Sequence, residues 1–88
     1  MSQPQTIAGT LRYLSQAAVL DVPSNLGQAT AFLLLMDFPP GGNSIPTQEA
    51  AARAFLVNHD HKEGAAMSVY GIPDVVGGQP VIHVIQVS

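Results

Sequence analysis

Apolar and polar side chains alternate along much of this chain with a period of two, the signature of half-buried strands. Residues 6–14 place Ile7, Gly9, Leu11 and Tyr13 on one face and Ala8, Thr10, Arg12 and Leu14 on the other. Gly9 within that run marks a bulge or a sharp bend. Residues 17–22 either continue this strand or form a short one of their own. Pro23-Ser24-Asn25-Leu26-Gly27 is turn chemistry, since proline fixes φ while Asn and Gly tolerate positive φ. Residues 29–38 form the strongest strand pattern, with Thr30, Phe32, Leu34, Met36 and Phe38 opposite Ala31, Leu33, Leu35 and Asp37. Both of its faces are apolar, which predicts cover on both sides.

Pro39-Pro40-Gly41-Gly42-Asn43-Ser44 breaks regular structure. A long mobile loop is expected over 39–49. Residues 48–57 carry two competing signals. Gln48 to Ala54 has high helix propensity, and Ala50, Ala51, Ala54 and Phe55 fall on one helical stripe. Phe55, Leu56 and Val57 favour a strand from about residue 52 to 58. The strand is the preferred reading. A polar connection follows at 59–64, then a strand at 66–72, with Met67, Val69 and Gly71 opposite Ser68, Tyr70 and Ile72. A hairpin connection with Gly77-Gly78 is expected over 73–80. In the last strand, 81–87, Val81, His83, Ile85 and Val87 oppose Ile82 and Val84. Short strands separated by Gly/Pro turns predict a single all-β domain, a small barrel or sandwich.

Composition narrows the function classes. Hydrophobic residues make up 47% of the 88 and charged residues 10%, which excludes a disordered acidic or basic tail. Three basic residues, Arg12, Arg53 and Lys62, face six acidic ones, for a formal net charge of −3. A phosphate contact normally uses a basic side chain, so one copy has little electrostatic pull on nucleic acid. The chain has no cysteine, hence no disulfide, thiolate nucleophile or cysteine-based zinc site. The polar Met1-Ser2-Gln3-Pro4-Gln5 does not read as a secretory leader. The longest apolar run, 31–36, is far below the ~20 residues of a membrane helix. A reducing cytoplasm is the simplest expected location, and no membrane partner is expected. A chain this short buries only about 60% of its extended surface. Two strands apolar on both faces therefore predict self-association, as a dimer or tetramer.

The order of strands and glycines resembles the OB-fold, a five-stranded Greek-key barrel, and within it the single-stranded DNA-binding and primosomal-replication-protein group. Ile7-Ala8-Gly9-Thr10-Leu11 resembles the opening strand, and Ser24-Asn25-Leu26-Gly27 before Ala31-Phe32-Leu33-Leu34-Leu35 resembles the turn into the second. Arg53-Ala54-Phe55-Leu56-Val57 stands where the third would be. Glu63-Gly64-Ala65-Ala66-Met67-Ser68-Val69-Tyr70-Gly71 looks like the entry to the fourth. Residues 81–87 complete the set. The helix such barrels carry between their third and fourth strands would here be absent or reduced to 59–63. The resemblance implies an all-β, five-stranded OB-like barrel with at most one short helix. Its implied function is non-enzymatic binding of single-stranded DNA or RNA, as a replication accessory.

Such binding pairs cations with aromatic platforms. Arg12, Arg53 and Lys62 are the candidates for phosphates; Tyr13, Phe55 and Tyr70 are the candidates for bases. Arg12 and Tyr13 are adjacent on a strand and must face opposite ways. The alternative is a protein-interaction or assembly module that forms homo-oligomers without binding nucleic acid, which the acidic balance favours. His59-Asp60-His61 is the one metal-like cluster, a weak one, since two histidines at i and i+2 share a side of an extended segment but a structural site uses four ligands. No cofactor and no catalytic constellation is expected. His83, inside an apolar strand, reads as a core or interface histidine with a hydrogen-bond partner.

Overall fold

The computed structural model describes residues 3–24, 26–37 and 41–87. The sequence readings at Met1, Ser2, Asn25, Phe38, Pro39 and Pro40 lie outside these. The elements are β1 (Gln5–Tyr13), β2 (Ala18–Pro23), β3 (Ala29–Leu35), α1 (Ile45–Asn58), β4 (Ala66–Val76) and β5 (Gln79–Val87). The strands close into a barrel in the order β1-β2-β3-β5-β4, with β4 returning to β1. All neighbours are antiparallel except β3 and β5, which run parallel. This is the all-β, five-stranded, OB-like barrel with one helix that the sequence predicts.

One open alternative is decided, in favour of the separate short strand, and one element differs from the sequence reading. Residues 17–22 are not an extension of β1. The Leu14 N–H donates to the Ala17 carbonyl at 2.9 Å, turning the chain through Ser15-Gln16 into a separate β2. That strand supplies the barrel member assigned by sequence to residues 52–58, which are helical instead. The helix starts where Ser44 caps it, its side chain accepting from the Thr47 N–H, with Pro46 in the first turn. The irregular stretch therefore ends at Ser44 rather than 49. At the other end Asp60 adopts φ 59°, and the N–H groups of Asp60 and His61 donate to the carbonyls of Val57 and Leu56. These are the paired bonds of a Schellman stop. The helix thus precedes 59–63 instead of being reduced to it.

The inward faces are largely as the alternation predicts. Leu11, Ala18, Leu20, Leu34, Met36, Met67, Val69, Ile82 and Val84 form the core, joined by Ala52 and Leu56 from α1. The helix buries Ala52 and Leu56 and half-buries Ala51 and Phe55, while Ala50 and Ala54 stay exposed, so its stripe sits one residue along from the expected one. Burying a leucine such as Leu56 is worth about 1.5–3 kcal/mol. A bulge at Tyr70/Gly71 shifts the β4–β5 register, bringing Val87 inward opposite Val69 and leaving Ile85 outside, 52% exposed. Gly9 lies where β1 bends onto β2: a Cβ there would sit 2.6 Å from the Asp21 carbonyl oxygen. At the tip of β4–β5, Gly77 and Gly78 both have positive φ, as a two-residue primed turn requires. The strands run further into that hairpin than predicted, leaving only these two glycines as the connection.

Candidate functional site

In barrels of this architecture, oligonucleotides lie on the face of the second and third strands. By register, the outward residues of β2 and β3 are Val19, Asp21 and Pro23, and Ala29, Ala31, Leu33 and Leu35. Val81 and His83 continue this face onto β5. Val19, Leu35 and Val81 are buried despite facing outward, so the surface is a tight aliphatic strip. Its charges are paired. Arg12 on β1 donates from Nε and Nη2 to the Asp21 carboxylate on β2 at 2.9 and 3.1 Å. That hydrogen-bonded pair holds the Asp21 carboxyl below the usual aspartate range and raises the guanidinium further above its own. At the far side, His83 Nε2 lies 3.1 Å from Asp74 Oδ2, a contact that also depresses the Asp74 carboxyl. His83 is thus half-exposed on the outer face with a partner on the neighbouring strand, rather than in the core.

The other sequence candidates separate into two places. Tyr13 points inward at the end of β1, where its hydroxyl donates to the His61 carbonyl at 2.7 Å. Burial raises its pKa above the ordinary tyrosine value. The Arg53 guanidinium sits 5.4 Å from the centre of the Tyr13 ring, and its Nε donates to the Leu14 carbonyl at 3.1 Å. Phe55 packs against the core and stacks on His59, ring centres 4.0 Å apart. His59 Nδ1 lies 2.8 Å from the Phe55 carbonyl, which can only accept, so Nδ1 carries a proton. Lys62 follows on the exposed connection to β4. These residues tie the end of α1 to the end of β1. Tyr70 stands apart on the outer face of β4, 41% exposed, beside Thr6 and Gln86.

The six nucleic-acid candidates therefore do not form one platform. Arg12 is neutralised, Tyr13, Arg53 and Phe55 hold structure together, and Lys62 and Tyr70 lie in different places. Among the described residues no group of three His, Cys, Asp or Glu is placed to hold a metal ion; the His59 ring is engaged with the Phe55 carbonyl, while His61 meets Tyr13 through its backbone carbonyl.

Sequence reasoning missed two surfaces. Among the described residues, the exposed large apolar side chains are Leu14, Leu26, Val57, Tyr70, Val75, Val76 and Ile85. Four of these lie on β4 and β5. Pairing of β4 with β1 ends at Gly71, so Ile72–Val76 pairs with β5 alone and the two strands continue as a ribbon. The reading of 73–80 as a connection hid this ribbon, although Val75 and Val76 beside Gly77-Gly78 were a visible signal. The second surface is an open groove of about 410 Å3 over Ala8, Gly9 and Thr10. No described helix is long and apolar enough to cross a membrane. The chain matches no protein-family model, no curated protein and no solved structure.

Proposed function

We propose that this chain is a non-enzymatic assembly module, a barrel that associates with copies of itself through the β4–β5 ribbon. The observation carrying this reading is the gathering of Tyr70, Val75, Val76 and Ile85 on one pair of strands. Single exposed apolar residues are ordinary, but four on two neighbouring strands, Val75 and Val76 near the ribbon tip and Tyr70 and Ile85 where the strands join the barrel, mark a contact surface. A two-fold contact would use the ribbon twice. The Asp74–His83 pair in its middle keeps the one carboxylate there satisfied. The limited burial available to so short a chain supplies the drive.

Single-stranded nucleic-acid binding is the second reading. It draws on Tyr70, whose ring and hydroxyl meet no partner among the described residues, and on exposed Lys62. It is less well supported because Arg12 and Arg53 would have to leave Asp21 and Leu14 before meeting a phosphate.

Light scattering coupled to size exclusion, from micromolar concentration upwards, tests the first reading. The expected mass is a multiple of the single chain, reduced to one chain by Ile85→Lys or Val75→Lys. A wild-type monomer at every concentration overturns it. Fluorescence anisotropy with a labelled oligothymidylate in low salt tests the second. A rise that falls off steeply with added salt would favour nucleic acid.

A further inference from the structure

The opening half of β1 is a sheet edge. Gln5 to Thr10 pair with β4, but pairing with β2 begins only at Thr10 and Gly9 already lies against the Asp21 backbone, so residues 5–8 have a strand on one side alone. β2 does not reach across to them. It ends at Pro23, which pairs with Ala29 on β3 and has no N–H to offer. Natural edges are usually blunted by lysine, by proline or by a covering loop. Residues 5–8 carry no charge and no proline.

Beside this edge lies the 410 Å3 groove. It is lined by Ala8, Gly9, Thr10, Pro23, Ala66, Met67 and Ser68. The β1 side chains among these are small, so an incoming strand can approach the β1 backbone closely. None of the lining residues is charged, and the nearest ionised groups, Arg12 and Asp21, neutralise each other.

We propose that β1 takes up an extended peptide segment of another protein by strand addition, between its free edge and Pro23. Backbone groups of residues 5–8 supply the hydrogen bonds, and the groove receives alternate side chains, which are uncharged and small to medium in size. The dimensions favour a peptide over a second copy. Stable association of two folded domains buries about 1,200–2,000 Å2. A four-residue edge and a slot at the small end of ligand-site volumes accommodate a few residues instead. This site shares no residue with the exposed apolar set of the ribbon and stands whether or not the chain self-associates.

The test is selection from a displayed library of random heptapeptides against the full chain, followed by binding of the selected synthetic peptides. Enriched sequences should alternate uncharged residues and slow hydrogen exchange at residues 5–8. Ala8→Lys, which raises a long charged side chain from the groove lining, should weaken binding about tenfold or more. Thr10→Glu is a second block should the first perturb folding. Ile85→Lys should leave binding unchanged even if it dissociates an oligomer. No enrichment, or selected peptides indifferent to both groove variants, overturns the proposal. So does a wild-type dimer that Ala8→Lys converts to monomer, because a second copy would then hold the edge.

Discussion

At Asp60 a non-glycine residue sits where the backbone turns left-handed, at the stop of α1. The position just past a helix favours glycine, which pays no Cβ penalty there. The aspartate is also unfavourably placed by charge, since the C-terminal end of a helix is its negative pole. Asp60→Gly should therefore raise stability by about 0.5–1 kcal/mol, the relieved strain exceeding the entropy gained by the unfolded chain. In urea the midpoint should rise with no change in slope. A fall would mean that the Asp60 side chain makes a contribution outweighing its strained backbone. The motif His59-Asp60-His61 was legible as a polar connection, with its spacing only a weak suggestion of metal chelation. Its actual role follows from a helix whose end the sequence left ambiguous.

Among the elements, the strands were legible because each turns alternate side chains into the barrel, and a period of two survives wherever that is so. Leu11 in β1, Leu34 in β3 and Val69 in β4 all lie inward, on faces that the alternation had grouped. The helix was less legible for a physical reason. Its inward stripe is made largely of alanines, and Ala50 and Ala54 outside look the same as Ala51 and Ala52 inside. Phe55, Leu56 and Val57 then mimic a strand. The deciding signals were local, Ser44 followed by Pro46, an N-cap and a first-turn proline. The turn at Ser15-Gln16 was hidden because it uses neither glycine nor proline. Of the candidate site, the residue types were visible and their pairing was not: nothing local shows that Asp21 folds back onto Arg12.

The bulge between β4 and β5 gives this scale its own test. At Gly71 an added Cβ would collide with the His83 carbonyl oxygen, a backbone atom that cannot swing aside. Gly71→Ala should cost about 1–3 kcal/mol, the usual range for overpacking. It should also disturb the bulge at which Ile85 is displayed. Gly78→Ala meets no crowding but keeps a positive φ, so its cost should be smaller, about 1 kcal/mol. Chemical denaturation of the two variants measures the difference. Equal losses would mean that β5 yields at the bulge.

Over the whole molecule, the carboxylates with resolved shifts are all depressed. Asp21 is held down by Arg12, Asp74 by His83, and Asp37 by the Asn43 side chain and the Gly41 N–H. A carboxyl whose folded pKa lies below its unfolded value, near 3.9, stabilises the fold above that value. The contribution is lost as pH falls through the depressed folded values. The melting temperature should therefore hold from neutrality to about pH 5, then decline below about pH 4. The three pairs predict different responses along that acid limb. Arg12→Gln should flatten the share due to Asp21, since its main depressing partner is gone. Asp37 is held by neutral donors, so salt should leave its share in place while screening that of exposed Asp21. Thermal melts of the wild type and Arg12→Gln, in low and high salt, separate these shares. A melting temperature that instead rises below pH 4 would show that carboxylate repulsion, in a chain of net charge −3, outweighs the pairing.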